Sequence, residues 1–128
     1  MKALVLLIVL ASTPLALGCT PRDRQPVEQR PEPDAWVVVS YDAKPSDPAM
    51  MELLETELAA ERALRKSGAG VIDGNEVARG VYELYFVGRD REELWRILKP
   101  ILAKAPVQWS RVELRRGLRD KDPQVLLR

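Results

Sequence analysis

Apolar positions fall into four kinds of run along the chain, each implying a different state. Residues 3–11 are apolar without interruption, and Ser12, Thr13 and Pro14 end the run. Residues 20–34 are the reverse: Pro21, Pro26, Pro31 and Pro33 stand among Arg, Asp, Glu and Gln, with Val27 the only aliphatic residue. Short β-branched and aromatic runs then predict strands over 35–41 (Trp36 and Val37-Val38-Val39), 71–78, 81–87 and 107–116. Helical spacing occupies the gaps. Asp47 caps a predicted helix over 48–66 with Pro48 at its first position, and Ser67-Gly68-Ala69-Gly70 stops it. Asp90 and Glu93 form a capping-box spacing ahead of Leu94, Trp95, Leu98, Ile101 and Leu102, and Pro100 predicts a kink or early break there.

The resulting order is strand, helix, strand, strand, helix, strand. Right-handed crossovers convert it to an α+β domain over 35–117: a ferredoxin-like, four-stranded antiparallel sheet with both helices on one face. Arg79-Gly80 is the predicted hairpin turn. In an alternative register the turn is Asp73-Gly74, as a type I′ pair. Residues 118–128 read as a charged, frayed tail in which Val125, Leu126 and Leu127 are able to dock locally.

The run at 3–11 is too short to cross a bilayer, which takes about 20 apolar residues. With Lys2 before it, it reads as the core of a signal peptide over residues 1–18. Leu15-Ala16-Leu17-Gly18-Cys19 resembles the lipobox of bacterial lipoprotein precursors, with Ala16 where the strongest form has leucine. That resemblance implies cleavage after Gly18, diacylglycerol on the Cys19 sulfur and often a third, amide-linked acyl chain such as palmitate. Two or three chains anchor a protein stably, at about 0.8 kcal/mol per buried methylene. In a Gram-negative host, Thr20 after the cysteine implies the periplasmic side of the outer membrane. Residues 19–34 are then the lipidated cysteine and a proline-rich tether, extended over on the order of 45 Å.

Composition narrows the chemistry. All 19 acidic residues follow the signal, as do all basic residues but Lys2, so the mature side chains sum to zero net charge. That balance gives no footing for nucleic acid as a partner. There is no histidine, and Cys19 is the only cysteine. The commonest general base, the usual zinc ligands and any internal disulfide are therefore missing, and no glycine-rich phosphate loop or G-x-S-x-G stands in for them.

The remaining candidates are carboxylates. In the first helix Met50, Leu53, Leu54, Leu58, Ala60 and Leu64 share a broad apolar face, and Glu57 and Glu61 fall within its arc. One reading is a proton-handling or cation site; the blander one pairs Glu61 with Arg65 at i+4 beside the sheet edge. Asp73, Asn75 and Glu76 cluster on a predicted hairpin or bulge. As an EF-hand the segment fails, because Ala78 and Leu84 stand where glycine and glutamate are needed, and Asp-Gly-Asn is common turn chemistry. An RNA-recognition domain shares the element order, but Val81 and Glu83 occupy its stacking positions. Arg111, Arg115, Arg116, Arg119, Lys121 and Arg128 are interleaved with Glu113, Asp120 and Asp122, which describes a solvated face.

The segment Gly70-Val71-Ile72-Asp73-Gly74-Asn75-Glu76, followed by the tyrosine-bearing strand and the Pro100 helix, resembles small bacterial ferredoxin-like domains with a G-x-x-D-G-x-E segment and no assigned activity. The resemblance spans residues 37–117, supports the fold and implies no reaction. The expectation is a lipid-anchored, non-enzymatic domain with no cofactor, no metal and no catalytic residue, presented to an envelope protein partner. An immunity-type role is one form of it. Candidate binding residues are Asp73, Asn75, Glu76, Glu83 and Tyr85, the last two with Val81 and Val87 on an uncovered sheet face near Trp36 or Tyr41. The alternative is a carboxylate- or metal-dependent activity on Asp73 and Glu76, with the Glu57/Glu61 pair.

Overall fold

The computed structural model describes residues 35–42 and 47–128. The expected signal peptide, lipobox at Cys19 and tether, and the side chain of Asp47 expected to cap the first helix, lie outside the described residues. What is described is an α+β arrangement in the order β1 (Ala35–Tyr41), α1 (Asp47–Ser67), β2 (Gly70–Ala78), β3 (Val81–Gly88), α2 (Arg91–Lys104), β4 (Arg111–Arg115) and β5 (Gln124–Leu127). The strands form one antiparallel sheet in the order β2-β3-β1-β4-β5.

β1 is the middle strand, and all seven of its residues are buried. A strand buried on both faces calls for an unbroken apolar run rather than alternation, which is why three consecutive valines suit it. Val37, Val39 and Tyr41 look into a core shared with Tyr82, Leu84 and Phe86 of β3, Val112 and Leu114 of β4, Leu53, Ala60 and Leu64 of α1, and Leu94, Leu98 and Leu102 of α2. Both helices therefore close the same core. Burying a leucine or phenylalanine side chain is worth about 1.5–3 kcal/mol, so this cluster is the main source of cohesion.

The β2–β3 hairpin turns at Arg79 (φ 52°) and Gly80 (φ 82°). Two consecutive left-handed residues match the right-handed twist of the flanking strands. The alternative register, with the turn at Asp73-Gly74, is thereby overturned: those residues sit in a β-bulge between Ile72 and Gly74. One extra residue there lets Ile72 pack against the core while Glu76 pairs with Glu83. Gly70 and Gly88 are cross-strand partners where α2 starts. A Cβ on Gly70 would run into the Val87 carbonyl, and one on Gly88 into the Ala69 carbonyl; both would meet the Leu94 side chain.

The Asp90 carboxylate accepts the Glu93 N–H at 3.0 Å, as the capping spacing predicts. Pro100 does not break α2, which runs on to Lys104. The proline is exposed, and Leu102 beyond it is fully buried, so core packing carries the helix past the missing hydrogen bond.

Two expectations fail at the C-terminal end. The predicted strand over 107–116 shrinks to Arg111–Arg115, because Trp109 turns to pack edge-on against Trp95 (centroids 6.0 Å apart) and Ser110 donates to the Ser40 carbonyl. The sheet also has five strands rather than four. Asp120 accepts the backbone N–H groups of Arg116 (2.8 Å) and Asp122 (3.1 Å), which tightens the charged segment into a turn. The chain then returns as β5, with Leu126 opposite Val112 and packed on the core. The supposed frayed tail is an edge strand. Among the described residues no helix is long and apolar enough to cross a membrane.

Candidate functional site

Opposite residues of antiparallel strands share a face. Register therefore sorts the five candidate binding residues. Asn75 lies opposite Leu84 on the helix side, Asp73 is in the bulge, and Glu76, Glu83 and Tyr85 lie on the far face. Glu76, Glu83 and Tyr85 come together there, while Asp73 and Asn75 do not join them. Trp36 joins the far face, opposite Val87, whereas Tyr41 is opposite Tyr82 in the core and does not.

The far face is less open than alternation suggested. Trp36, Val38, Ser40 and Val87 are buried, and Glu83 and Tyr85 are half-buried. Its polar groups answer one another. Glu83 accepts the Ser40 hydroxyl at 3.0 Å and the Tyr85 hydroxyl at 2.6 Å, while Glu76 stands 3.4 Å from the same tyrosine. Glu113 is gripped by Arg111 and Arg115, each at 2.6 Å. Burial first, then the hydrogen bond and charge of Glu83, push the Tyr85 hydroxyl well above its ordinary range. It stays protonated and acts as the donor to the carboxylates on either side of it.

The Glu57/Glu61 pair also separates. Glu61 pairs with Arg65 at 2.8 Å, as the blander reading has it. Glu57 instead accepts the hydroxyl of Tyr82. Burial, followed by that bond, raises the Tyr82 hydroxyl out of its usual range. Burial followed by the charge of Glu57 does the same to Tyr41, whose hydroxyl has no hydrogen-bond partner among the described residues. Among the described residues no three His, Cys, Asp or Glu side chains gather closely enough to hold a metal ion.

Among the described residues, an exposed apolar surface lies on α1. The apolar arc of α1 buries Leu53, Ala60 and Leu64 but leaves Met50 (37% exposed), Met51 (61%), Leu54 (45%) and Leu58 (44%) in solvent. At 100° per residue these four form a stripe beside the buried line. Glu52, Glu55 and Thr56 of α1 line a shallow cleft with Ile101, Lys104 and Pro106 at the α2 end, so the stripe faces away from α2. On that side Val77 of β2 is 56% exposed, and it pairs with the Tyr82 that holds Glu57. Periodicity puts Met50, Leu54 and Leu58 on the same broad apolar face as Leu53, Ala60 and Leu64 and leaves out Met51. The usable signal was the width of the arc, broader than one sheet and one neighbouring helix can cover.

No protein-family model, curated protein or solved structure matches the chain.

Proposed function

We propose that this protein is an envelope lipoprotein, anchored through acyl chains on Cys19, whose tethered domain binds a protein partner and catalyses no reaction. The single observation that carries the binding role is the exposed stripe on α1. Large apolar side chains in a row, on a helix whose neighbouring line of Leu53, Ala60 and Leu64 is already committed to the core, mark an interaction surface. Supporting it, the far-face carboxylates are answered by donors of the same face, and the tyrosine hydroxyls are held protonated. The strand order β2-β3-β1-β4, with both helices in one core, supports a ferredoxin-like arrangement extended by β5 at the β4 edge. The lipobox resemblance supports the anchor, and fold alone assigns no function.

The test is co-purification from cross-linked envelopes, comparing the wild type with an exported Cys19→Ala form. Intact mass should show acylation that Cys19→Ala abolishes. One dominant protein captured by both forms supports a binding role intrinsic to the domain, immunity-type if that protein is a toxin. Reproducible capture of nothing by either form overturns the proposal.

A further inference from the structure

We infer that the partner segment seated on α1 is a basic amphipathic helix; this rests on the binding role proposed above and names the chemistry of its partner. Residues 47–61 contain Asp47, Glu52, Glu55, Glu57 and Glu61 and no lysine or arginine, while Arg62, Arg65 and Lys66 all lie at the far end of the helix. The exposed stripe from Met50 to Leu58 rises about 12 Å, two helical turns. At 100° per residue, Glu57 borders it on the core side and Glu55 on the other, and Glu61, paired with Arg65, stands one turn beyond Leu58 in line with the row. An apolar row with carboxylates along both margins is complementary to a helix whose own apolar row is bordered by lysine or arginine. Two of its four apolar residues are methionines, whose unbranched side chains adapt to the shape of an incoming helix.

The same charges argue against other occupants. A second copy in register would set Glu55 and Glu57 of the stripe's margins against their own counterparts, and an anionic lipid surface would be repelled. Nor does the tether fit, since Val27 is the only aliphatic residue among residues 20–34.

The experiment uses the lipidated chain in phosphatidylcholine nanodiscs. The probe is a labelled leucine–lysine peptide of about 18 residues patterned as an amphipathic helix, followed by fluorescence anisotropy. Saturable binding is expected, weakening roughly tenfold between low salt and ~0.5 M salt. The double variant Leu54→Asp/Leu58→Asp and the variant Glu55→Lys should each weaken binding by roughly tenfold. All these positions are exposed, and an unchanged melting temperature confirms that the fold is intact. Failure of the peptide to bind overturns the inference, as does equal binding of a scrambled peptide of the same composition or indifference to the variants. Stronger association with anionic vesicles, or a monomer–dimer equilibrium abolished by the same variants, overturns it in favour of lipid or of a second copy.

A photo-crosslinker in place of Met51, with one in place of Leu127 as control, separates this inference from the reading beneath it. A partner captured at Met51 through a basic amphipathic segment supports both. A partner captured through an acidic or non-amphipathic segment refutes the inference and leaves the binding role standing. No capture at either position, with none in the envelope cross-linking, refutes both.

Discussion

Replacing Tyr41 with phenylalanine should make the protein more stable, against the usual sign of that substitution. Tyr41 is 2% exposed and its ring packs obliquely on Tyr82, with centroids 6.2 Å apart, and its hydroxyl is buried without a partner among the described residues. A buried hydroxyl that has lost water and gained nothing costs about 1–3 kcal/mol. Phenylalanine keeps the ring and removes the orphan, so a gain of about 1–2 kcal/mol is expected. For a domain on the order of 100 residues this raises Tm by roughly 4–8 °C per kcal/mol. Tyr82→Phe is the matched control. It strips the half-buried Glu57 carboxylate of its donor, and a hydrogen bond to a charged group is worth about 1.5–3 kcal/mol. Allowing for the partial exposure of Glu57, a loss of about 1–2 kcal/mol is expected. Urea and thermal unfolding at pH 7 measure both. If Tyr41→Phe destabilises as Tyr82→Phe does, the Tyr41 hydroxyl has a partner, and the account of this corner is wrong.

Further consequences can be checked in the same assay. Leu126→Ala should lower stability by about 1–2 kcal/mol, because the residue is half-buried against the core; a neutral result would mean that β5 adds nothing. Gly88→Ala should destabilise by about 1–3 kcal/mol through collision with the Ala69 carbonyl and Leu94, whereas Gly74→Ala, with open space around it, should be far milder. Backbone N–H groups hold Asp90 (from Glu93, chiefly) and Asp120 (from Arg116, then Asp122) below the ordinary value of 3.8. The unfolded chain then binds protons that the folded one refuses, so this stability is present above about pH 3.8 and lost as pH falls below it; Asp120→Asn should flatten that decline, and an unchanged slope would contradict it. Millimolar calcium, magnesium or manganese should leave Tm unmoved, and a rise abolished by Asp73→Asn would restore the metal-dependent alternative.

Local patterning carried much of the fold. The β1 valines, the Asp90 cap, the Arg79-Gly80 turn and the spacing of Leu94, Leu98 and Leu102 each announce themselves within a few residues. What escaped depends on distant partners. Val125 to Leu127 looks like a tail until Val112 is seen to lack a neighbour on its outer side. Pro100 looks like a break until the burial of Leu102 is known. The site was harder to read for the same reason. Spacing puts Glu57 and Glu61 in one arc, but only the placement of Tyr82 separates them, and only the limited reach of the sheet decides which apolar residues of α1 are left outside.

The place of β1 in the sheet has a kinetic consequence. It is the first element of the domain in the chain and the middle strand of the sheet, so its partners are made last: Trp36 pairs with Val87 on one side and with Arg115, 79 residues later, on the other. Closing loops of that length before any reward is gained makes folding slow, so an almost wholly apolar strand stays unpaired meanwhile. For the exported precursor proposed above the delay would be useful, since a chain that cannot complete its sheet until its far end appears stays unfolded while it is threaded through a membrane. The same delay is a hazard afterwards, when valine-rich strands of different molecules can find one another first.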